Sequence, residues 1–252
     1  MRFYTIFPLL LFGLLSPVWY PAQLDVTGQL LITELYYDTP GDDGQEEWIE
    51  ITNVGTAVIL LSDIRIGDEE SSGGREGMKR FPEGAQIGPE QSLIIAQTAV
   101  GFRALFGFNP HFEMIDSDST VPNMRNSRLW ATGDVALAND GDEVLLLQDA
   151  AILDAVNYGD STHYFAPSVA GVFRGQSIER VPANCDSNTA ADWQPARVPT
   201  PGTVQLDAQC TAVVAAELET LPTVGDIQGT TDISPMVNEI VSFRGVVTGW
   251  LE

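Results

Sequence analysis

The feature that most constrains the fold is a series of short apolar runs between positions 30 and 181, rich in β-branched and aromatic residues. Gly, Pro, Asn and Asp interrupt the runs at close intervals, which is typical of an all-β sandwich or barrel. In one run, Ile49 and Ile51 alternate with other residue types, as expected of a strand with one buried face. We predict strands at residues 30–37, 47–53, 57–61, 64–67, 92–97, 143–148, 152–158 and 177–181.

The segments between these strands carry turn residues rather than helical periodicity. Residues 140–142, with the sequence DGD, supply a turn, and residues 148–151 predict a hairpin connection. A short helical pattern is present only at 98–106. The stretch 115–133 has few periodic apolar residues, so we predict a long surface loop there.

The composition excludes some classes of function. The 252 residues include 12 Lys and Arg against 35 Asp and Glu, a net charge of −23, with 44% hydrophobic residues. That hydrophobic share is too high for a disordered acidic tail, so the chain buries a core, as one large or two small domains. A body this acidic repels phosphate backbones and anionic membranes, so nucleic-acid binding is not expected except through a bridging cation.

The N-terminus has the pattern of a secretory signal peptide. Arg2 precedes an apolar stretch at 3–15, and Ser16 and Pro17 end it. The stretch is shorter than the ~20 apolar residues that a membrane-spanning helix needs. We predict a signal peptide at 1–22 and a secreted or cell-surface location. The alternatives are an uncleaved N-terminal anchor and, less favoured, a buried core helix.

Two cysteines, Cys185 and Cys210, lie 25 positions apart beside sequence of loop type. In an exported chain such a pair forms a disulfide more often than it leaves two free thiols. No histidine lies near them in the sequence, so they do not indicate a zinc site. We predict a Cys185–Cys210 disulfide that stabilises the fold by about 3 kcal/mol on the loop-entropy model.

A glycine-bearing loop with several carboxylates is the best local candidate for a ligand site. Ca²⁺ takes roughly 6–8 oxygen ligands, which acids close in sequence can supply. The alternative is a solvated acidic loop, because the spacing is not that of an EF-hand. A second acidic pair, Asp116 and Asp118, is a weaker candidate. The predicted calcium ligands are Asp38, Asp42, Asp43 and Glu46.

The sequence contains no recognisable catalytic constellation. His111 and His163 stand alone without a partner motif, and no G-x-S-x-G nucleophile elbow occurs. Arg125, Arg128 and Trp130 are the one aromatic group with basic neighbours that could stack on bases, and they lie close to acidic residues. We therefore expect no enzymatic activity from these residues, and no cofactor besides the candidate calcium.

Residues 31–38 (LITELYYD) and 46–55 (EEWIEITNVG) resemble the opening of the lamin tail domain. Members of that family typically have the patterns I-x-E-[VIL]-x-[YF]-[DN] and E-W-[IV]-E-[LI]-x-N. Further pieces follow in the family's order, with Ile64 where tryptophan is usual. The resemblance covers 29–203 and implies an immunoglobulin-like β-sandwich, in agreement with the strand prediction. The further pieces are 60–64, 66–68, 87–89, 93–95, 137–146, 156–159, 177–180, 192–193 and 199–202.

The C-terminal part carries a second resemblance, after a predicted linker at 204–221. Residues 222–252 contain the sequences DIQG, SP and VSFRGVVTG. They look like the OB-type barrel that precedes the catalytic domain in secreted bacterial nucleases of the endonuclease/exonuclease/phosphatase superfamily. Lamin tail domains often lie at the N-terminus of such enzymes. The resemblance implies the start of an OB-like domain that is truncated at residue 252.

These features together predict an exported, non-catalytic β-sandwich module that acts in adhesion, anchoring or accessory binding. Its expected partner is an unidentified extracellular or cell-surface molecule, and its charge opposes direct binding to nucleic acid. No stable membrane insertion is expected apart from the N-terminal segment. The alternative is the N-terminal part of a secreted nuclease or phosphoesterase whose catalytic domain lies downstream.

Overall fold

A computed structural model of the chain describes residues 29–210. The predicted signal peptide at 1–22, most of the predicted linker and the OB-like segment at 222–252 lie outside the described residues. Short strands dominate the described part, and helices are few. The prediction of an all-β sandwich is confirmed.

The described residues form thirteen strands, two α-helices and one 3-10 turn. The helices are α1 (Asp43–Glu46) and α2 (Ala99–Phe106), and the 3-10 turn is Ala190–Asp192. In chain order the strands are β1 (Leu30–Tyr36), β2 (Trp48–Asn53), β3 (Ile59–Leu60), β4 (Ile64–Gly67), β5 (Met78–Arg80), β6 (Gln86–Ile87), β7 (Ser92–Ala96), β8 (Phe112–Glu113), β9 (Arg125–Asn126), β10 (Gly141–Gln148), β11 (Ala151–Gly159), β12 (Ser177–Arg180) and β13 (Trp193–Ala196).

Two large sheets make the sandwich. The first has six strands in the order β13-β12-β1-β2-β7-β8, and all its pairs are antiparallel except β7 with β8. The second has five antiparallel strands in the order β11-β10-β4-β5-β9. Strands β3 and β6 form a separate two-stranded ribbon. A bulge between Ile32 and Glu34 shifts the register of β1 against β2.

The main apolar core fills the space between the two large sheets. Ile49 from the first sheet and Ile66 and Leu146 from the second are fully buried in it. The rings of Tyr37 and Tyr158 stack within the same core, with centroids 4.0 Å apart. Each buried side chain of this size contributes about 1.5–3 kcal/mol relative to exposure, so this cluster is the main source of stability.

Helix α2 covers the outer face of the six-stranded sheet. The side chain of Thr98 caps its first turn by accepting the Gly101 N–H, and Gly107, with a φ of 80°, ends it. Such a left-handed residue after the last turn is where glycine is favoured. Phe102 packs edge-on against the ring of Trp48, at 6.1 Å between centroids. The helix predicted at 98–106 is confirmed.

Two buried glutamates fasten the segment that follows β13 to the outer face of the same sheet. Glu34 accepts the backbone N–H of Thr200 at 3.0 Å, and Glu50 accepts that of Gly202 at 2.5 Å. Burial raises the pKa of Glu34 to about 7, while its hydrogen bonds with Ser177 and Thr200 act in the opposite direction. These contacts fix the proline-bearing segment 198–202 against the sandwich.

A disulfide joins Cys185 to Cys210, with 5.3 Å between the Cα atoms. The backbone nearby is also paired, because the Ala183 N–H donates to the carbonyl oxygen of Gln205. The predicted disulfide is confirmed, and it ties the last described residues to the loop after β12. In the described range 29–210, no helix is long and apolar enough to cross a membrane.

Several of the observed short strands are absent from the sequence-based prediction. The sequence does not predict β5, β6, β8, β9 or β13, and β9 falls inside the predicted loop at 115–133. The strand predicted at 57–61 is reduced to two residues in β3. Strands of two to four residues are too short to show alternation. Strand β13 also contains Pro195, which is tolerated because β13 lies at a sheet edge.

Candidate functional site

The carboxylates predicted to bind calcium lie in and around helix α1, and their neighbours already use them. Asp42 caps the helix, since its Oδ1 accepts the Gly44 N–H at 3.1 Å. Asp43 Oδ1 accepts both the N–H and the hydroxyl of Thr39, at 2.9 and 2.7 Å. The other oxygen of Asp43 accepts the side-chain amide of Asn139 at 2.9 Å.

The remaining two predicted ligands have partners of their own. Glu46 Oε2 accepts the Gly41 N–H at 2.9 Å, and Asp38 lies 3.9 Å from the guanidinium of Arg174. In the part of the chain that the structure describes, the groups that bring three ligand atoms within 4.8 Å of one another consist of other residues. These contacts give the acidic loop a structural role, and calcium binding there stays a prediction.

A different set of acids meets at one end of the five-stranded sheet. Strand β4 pairs with β10 so that Gly67 lies opposite Leu145. This register brings the chain just after β4 next to the start of β10, although the two are more than 70 positions apart in sequence. We call the resulting cluster the acidic edge. Its members are Asp68, Glu69, Glu70, Glu76, Asp142, Glu143 and His163.

Two of these acids shape the loop that joins β4 to β5. Asp68 accepts the Gly77 N–H at 2.6 Å and the Ala136 N–H at 2.8 Å. Glu69 spans the same loop, because its Oε2 accepts the Glu76 N–H at 3.0 Å. Together these bonds close the loop from both ends, so that the carboxylate of the intervening Glu70 is held beside β10.

Gly77 is required by the close approach of another backbone segment. A Cβ atom at this position would lie 2.0 Å from the backbone nitrogen of Val135 and 2.3 Å from the carbonyl carbon of Asp134. We expect Gly77→Ala to lower the free energy of unfolding by about 1–3 kcal/mol, the usual cost of overpacking. Urea unfolding measures this.

The matched control for that substitution is Gly171→Ala. A Cβ at Gly171 meets only the Tyr37 hydroxyl at 3.8 Å, an ordinary van der Waals contact. We expect the control to stay within about 0.5 kcal/mol of the wild type. Equal unfolding free energies for the two variants would contradict the close approach at Gly77.

The electrostatics of the acidic edge are dominated by uncompensated negative charge. Burial, together with the charges of Asp68, Asp142 and the neighbouring glutamates, raises the pKa of Glu76 to about 7. Burial likewise raises the pKa of Asp68 to about 7 and that of Asp142 to about 6, against hydrogen bonds that lower both. Within residues 29–210, no lysine or arginine forms an ion pair with any carboxylate of this cluster.

The seventh member, His163, is placed by a loop that Asn157 organises. The side-chain amide of Asn157 donates to the carbonyl oxygens of Ser161 and Phe165, at 2.7 and 3.1 Å. Its oxygen accepts the N–H groups of Tyr164 and Phe165, at 3.2 and 2.9 Å. Four bonds from one buried side chain therefore hold residues 161–165 in a defined shape beside β11.

This loop completes a three-residue group at the acidic edge. His163 Nδ1 lies 3.7 Å from Glu70 Oε1, and one ligand atom from each of Glu70, Glu143 and His163 lies within 4.8 Å of the other two. Ser161 Oγ donates to Glu143 Oε2 at 2.5 Å, which orients that carboxylate. Two carboxylates and an imidazole in this arrangement can coordinate a cation.

Tyr164 contributes a buried hydroxyl beside the same group. Its oxygen is inaccessible to solvent and has no hydrogen-bond partner among the described residues. Burial raises the pKa of Tyr164 to about 12, and the charges of Glu143 and Glu70 act in the same direction. The phenol thus lies within electrostatic reach of both carboxylates, and it adds a polar group that no residue in the range 29–210 satisfies.

The sequence shows His163 as an isolated residue, whereas the structure places its imidazole 3.7 Å from Glu70. Its partners Glu70 and Glu143 are 93 and 20 positions away, and the pairing of β4 with β10 and the loop that Asn157 holds bring them together. The DGD sequence at 140–142 overlaps the first two residues of β10, so the predicted turn is shorter than expected, and it carries no information about which strand lies beside β10. No local pattern in the sequence could have identified this group.

The other sequence candidates serve structural contacts. His111 Nδ1 accepts the Ile94 N–H at 3.0 Å, and Asp118 pairs with Arg103 at 2.5 Å. Trp130 donates its indole N–H to the carbonyl oxygen of Glu69 at 2.9 Å, and the guanidinium of Arg65 lies 5.7 Å from its ring centroid. These contacts show that Trp130 packs against the five-stranded sheet.

Comparison with known proteins identifies similarity at two levels. The family model of the lamin tail domain matches residues 24–160. A solved structure of a DUF4876 family protein from Bacteroides thetaiotaomicron has a similar fold, with a TM-score of 0.52 and 13% sequence identity. The similarity covers 72% of this chain and 75% of that one, and at this identity it concerns the fold alone. No curated protein matches the chain significantly.

Proposed function

Since the chain belongs to the lamin tail domain family, we propose that it is an exported, non-catalytic accessory module that binds an extracellular or cell-surface partner. The family model and the structure agree on a β-sandwich. Folds of this kind carry many functions, so the proposal depends on features of this chain rather than on the fold.

The disulfide is the observation that carries the proposal. Cys185 and Cys210 are joined, and no free cysteine is present among the described residues. Disulfides persist in oxidising compartments and are rare in reducing ones. Together with the apolar N-terminal pattern, the bond supports export and a place outside the cytoplasm.

The contacts of the two histidines support a non-catalytic role. His111 Nδ1 accepts a backbone N–H, so it is not available as a base. The His163 imidazole faces Glu70, and its backbone N–H rather than its ring contacts the Ser161 hydroxyl. A general base must lie within hydrogen-bond reach of the proton it abstracts, and neither imidazole is paired with a nucleophile among the described residues.

The test of this proposal is a hydrolysis assay on the purified chain. Single- and double-stranded DNA, RNA and a chromogenic phosphodiester are incubated with the protein in Mg²⁺, Mn²⁺, Ca²⁺ and Zn²⁺ in turn. We expect no hydrolysis above that of buffer with any ion. Turnover that co-purifies with the chain and scales with its concentration would overturn the non-catalytic assignment.

The alternative function, the N-terminal part of a secreted nuclease or phosphoesterase, rests on the resemblance of residues 222–252. Those residues lie outside the described structure, so the alternative depends on sequence alone. The coding sequence downstream of residue 252 tests it. Continuation into a complete OB-like barrel and a domain with metal-binding carboxylates would favour it, and a stop codon there would end it.

A further inference from the structure

We propose that Glu70, Glu143 and His163 form a binding site for a divalent transition-metal ion, for which Zn²⁺ is the best-suited probe. The proposal goes beyond the accessory-module function and does not depend on it. It starts from geometry, because the three side chains come from three separate segments of the chain and converge at one point. Each offers one ligand atom, and the three atoms lie within 4.8 Å of one another.

The spacing of the ligand atoms suits a small cation. Zinc binds histidine nitrogen and carboxylate oxygen at about 2.0–2.2 Å in tetrahedral geometry, so neighbouring ligand atoms lie roughly 3.4 Å apart. His163 Nδ1 and Glu70 Oε1 are 3.7 Å apart, within a few tenths of an ångström of that value. The other two separations are within 4.8 Å, and side-chain rotation would bring all three atoms to that spacing.

The chemistry of the donors selects among cations. Ca²⁺ and Mg²⁺ prefer sites made of oxygen ligands alone, whereas an imidazole nitrogen favours zinc and its transition-metal neighbours. Three protein ligands leave a fourth position for water, as in open zinc sites. The imidazole therefore distinguishes this group from an ordinary cluster of acids.

The surroundings hold the ligands in place and leave their charge unbalanced. Ser161 donates to Glu143, and Asn157 fixes the loop that carries His163. Such supporting hydrogen bonds orient metal ligands in proteins. Two like charges are thus kept close together with no lysine or arginine paired to either of them in the described structure. A bound cation would relieve their repulsion.

Tyr164 has a buried hydroxyl that no described residue satisfies. A buried polar group without a hydrogen-bond partner costs about 1–3 kcal/mol, and native proteins rarely leave one. The charges of Glu143 and Glu70 act on this phenol, so the residue that follows His163 adds an unsatisfied polar group to the same region.

Calorimetric titration of the full chain with ZnCl₂ tests the proposal. We expect one site per chain and a higher melting temperature in Zn²⁺, because an ion that binds only the folded state stabilises it. His163→Gln removes the imidazole. Loss of a supporting partner of a ligand already costs about 10–100-fold in metal affinity, so loss of this ligand should weaken binding by at least about tenfold. Glu70→Gln should have a similar effect.

Two variants serve as matched controls. Glu83→Gln removes one negative charge at an exposed position outside the acidic edge, and His111→Gln removes the other histidine. Both should bind Zn²⁺ as the wild type does. His163 is 47% exposed, so its substitution leaves the fold intact and keeps the test decisive even if variants of Glu143 fail to fold.

Three outcomes would overturn the proposal. The first is a wild-type chain that takes up no Zn²⁺ and shows no thermal shift. The second is an affinity that does not change in His163→Gln. The third is binding that survives in His163→Gln but is lost in Glu76→Gln, which would place the cation on the adjoining Glu69, Glu70 and Glu76 instead.

Discussion

Arg180→Met is expected to lower the free energy of unfolding by about 3–5 kcal/mol, the largest effect of any single substitution proposed for this protein. The side chain of Arg180 is 1% exposed, and its Nη2 donates to both carboxylate oxygens of the fully buried Asp154, at 2.8 and 2.9 Å. It also donates to Asp186 at 2.8 Å and to the Ile32 carbonyl oxygen at 3.0 Å. Removing it leaves the Asp154 carboxylate buried without a counter-charge.

The position of this ion pair explains why the loss is so large. Asp154 lies on β11 of the five-stranded sheet and Arg180 on β12 of the six-stranded one, so the pair joins the two layers. Asp154 also accepts the Ile32 N–H on β1 at 2.7 Å, and the guanidinium lies 4.8 Å from the ring centroid of Trp193. Arg180 makes all of these contacts except the bond from the Ile32 N–H, which Asp154 accepts.

Thermal unfolding measures the effect, as a fall in melting temperature of roughly 6–20 °C for a domain of this size. Arg174→Met is the control, since Arg174 is 61% exposed, and it should lose less than Arg180→Met. Its pair with Asp38 contributes at most about 1 kcal/mol, and its other contacts are bonds to the carbonyl oxygens of Thr39 and Gly41. The double variant Arg180→Met/Asp154→Asn should be more stable than Arg180→Met alone, because it no longer buries an unpaired carboxylate. Equal melting temperatures for the two Arg180 variants would contradict this explanation.

The loss should also depend on pH. Burial raises the pKa of Asp154 above its ordinary value, and the guanidinium of Arg180 opposes that rise. Without the guanidinium, the folded-state pKa rises further above the unfolded one. A raised carboxyl pKa favours the folded state at acid pH, and that contribution disappears as the pH rises through the folded-state pKa. The difference between Arg180→Met and the wild type should therefore be smaller at pH 5 than at pH 8.

Removal of the disulfide gives the second large effect. The double variant Cys185→Ala/Cys210→Ala is expected to lose about 3 kcal/mol, because the bond closes a loop of 25 residues and restricts the unfolded chain. The loss should appear in urea unfolding without reductant. In the presence of reductant the wild type and the variant should have similar stability, which is the internal control.

Local proteolysis adds a second readout for the same variant. The bond ties the end of the described chain to the loop after β12, and the Ala183–Gln205 contact is the main backbone pairing beside it. We expect faster cleavage at positions 203–210 than at positions in the paired strands. A variant as stable and as resistant as the oxidised wild type would show that the disulfide contributes nothing to the fold.

The sequence predicts the longer strands well and the short ones poorly. Strands β2, β10 and β11 have enough residues for alternation and turn chemistry to appear, and their predicted positions agree closely with the observed ones. Strand β5 has three residues, and its place between β4 and β9 depends on distant partners. Sheet order is a property of such long-range pairing, which local patterns do not encode.

The candidate site also has a part that the sequence predicts and a part that depends on long-range pairing. Acids that are close in sequence, such as Asp42 and Asp43, are the natural candidates, yet the structure engages them in capping and turn contacts. The group of Glu70, Glu143 and His163 is assembled by the β4–β10 register and by the loop that Asn157 holds. Its members come from positions so far apart that only the fold brings them together.

The most direct test of the exported-module assignment is peptide mass mapping, without reduction, of the chain expressed with its own N-terminus in a bacterial host. The host is separated into cytoplasmic and extracytoplasmic fractions before digestion. We predict that the protein is recovered outside the cytoplasm and yields a peptide pair joined through Cys185 and Cys210. Recovery in the cytoplasmic fraction, with both thiols free, would contradict the assignment.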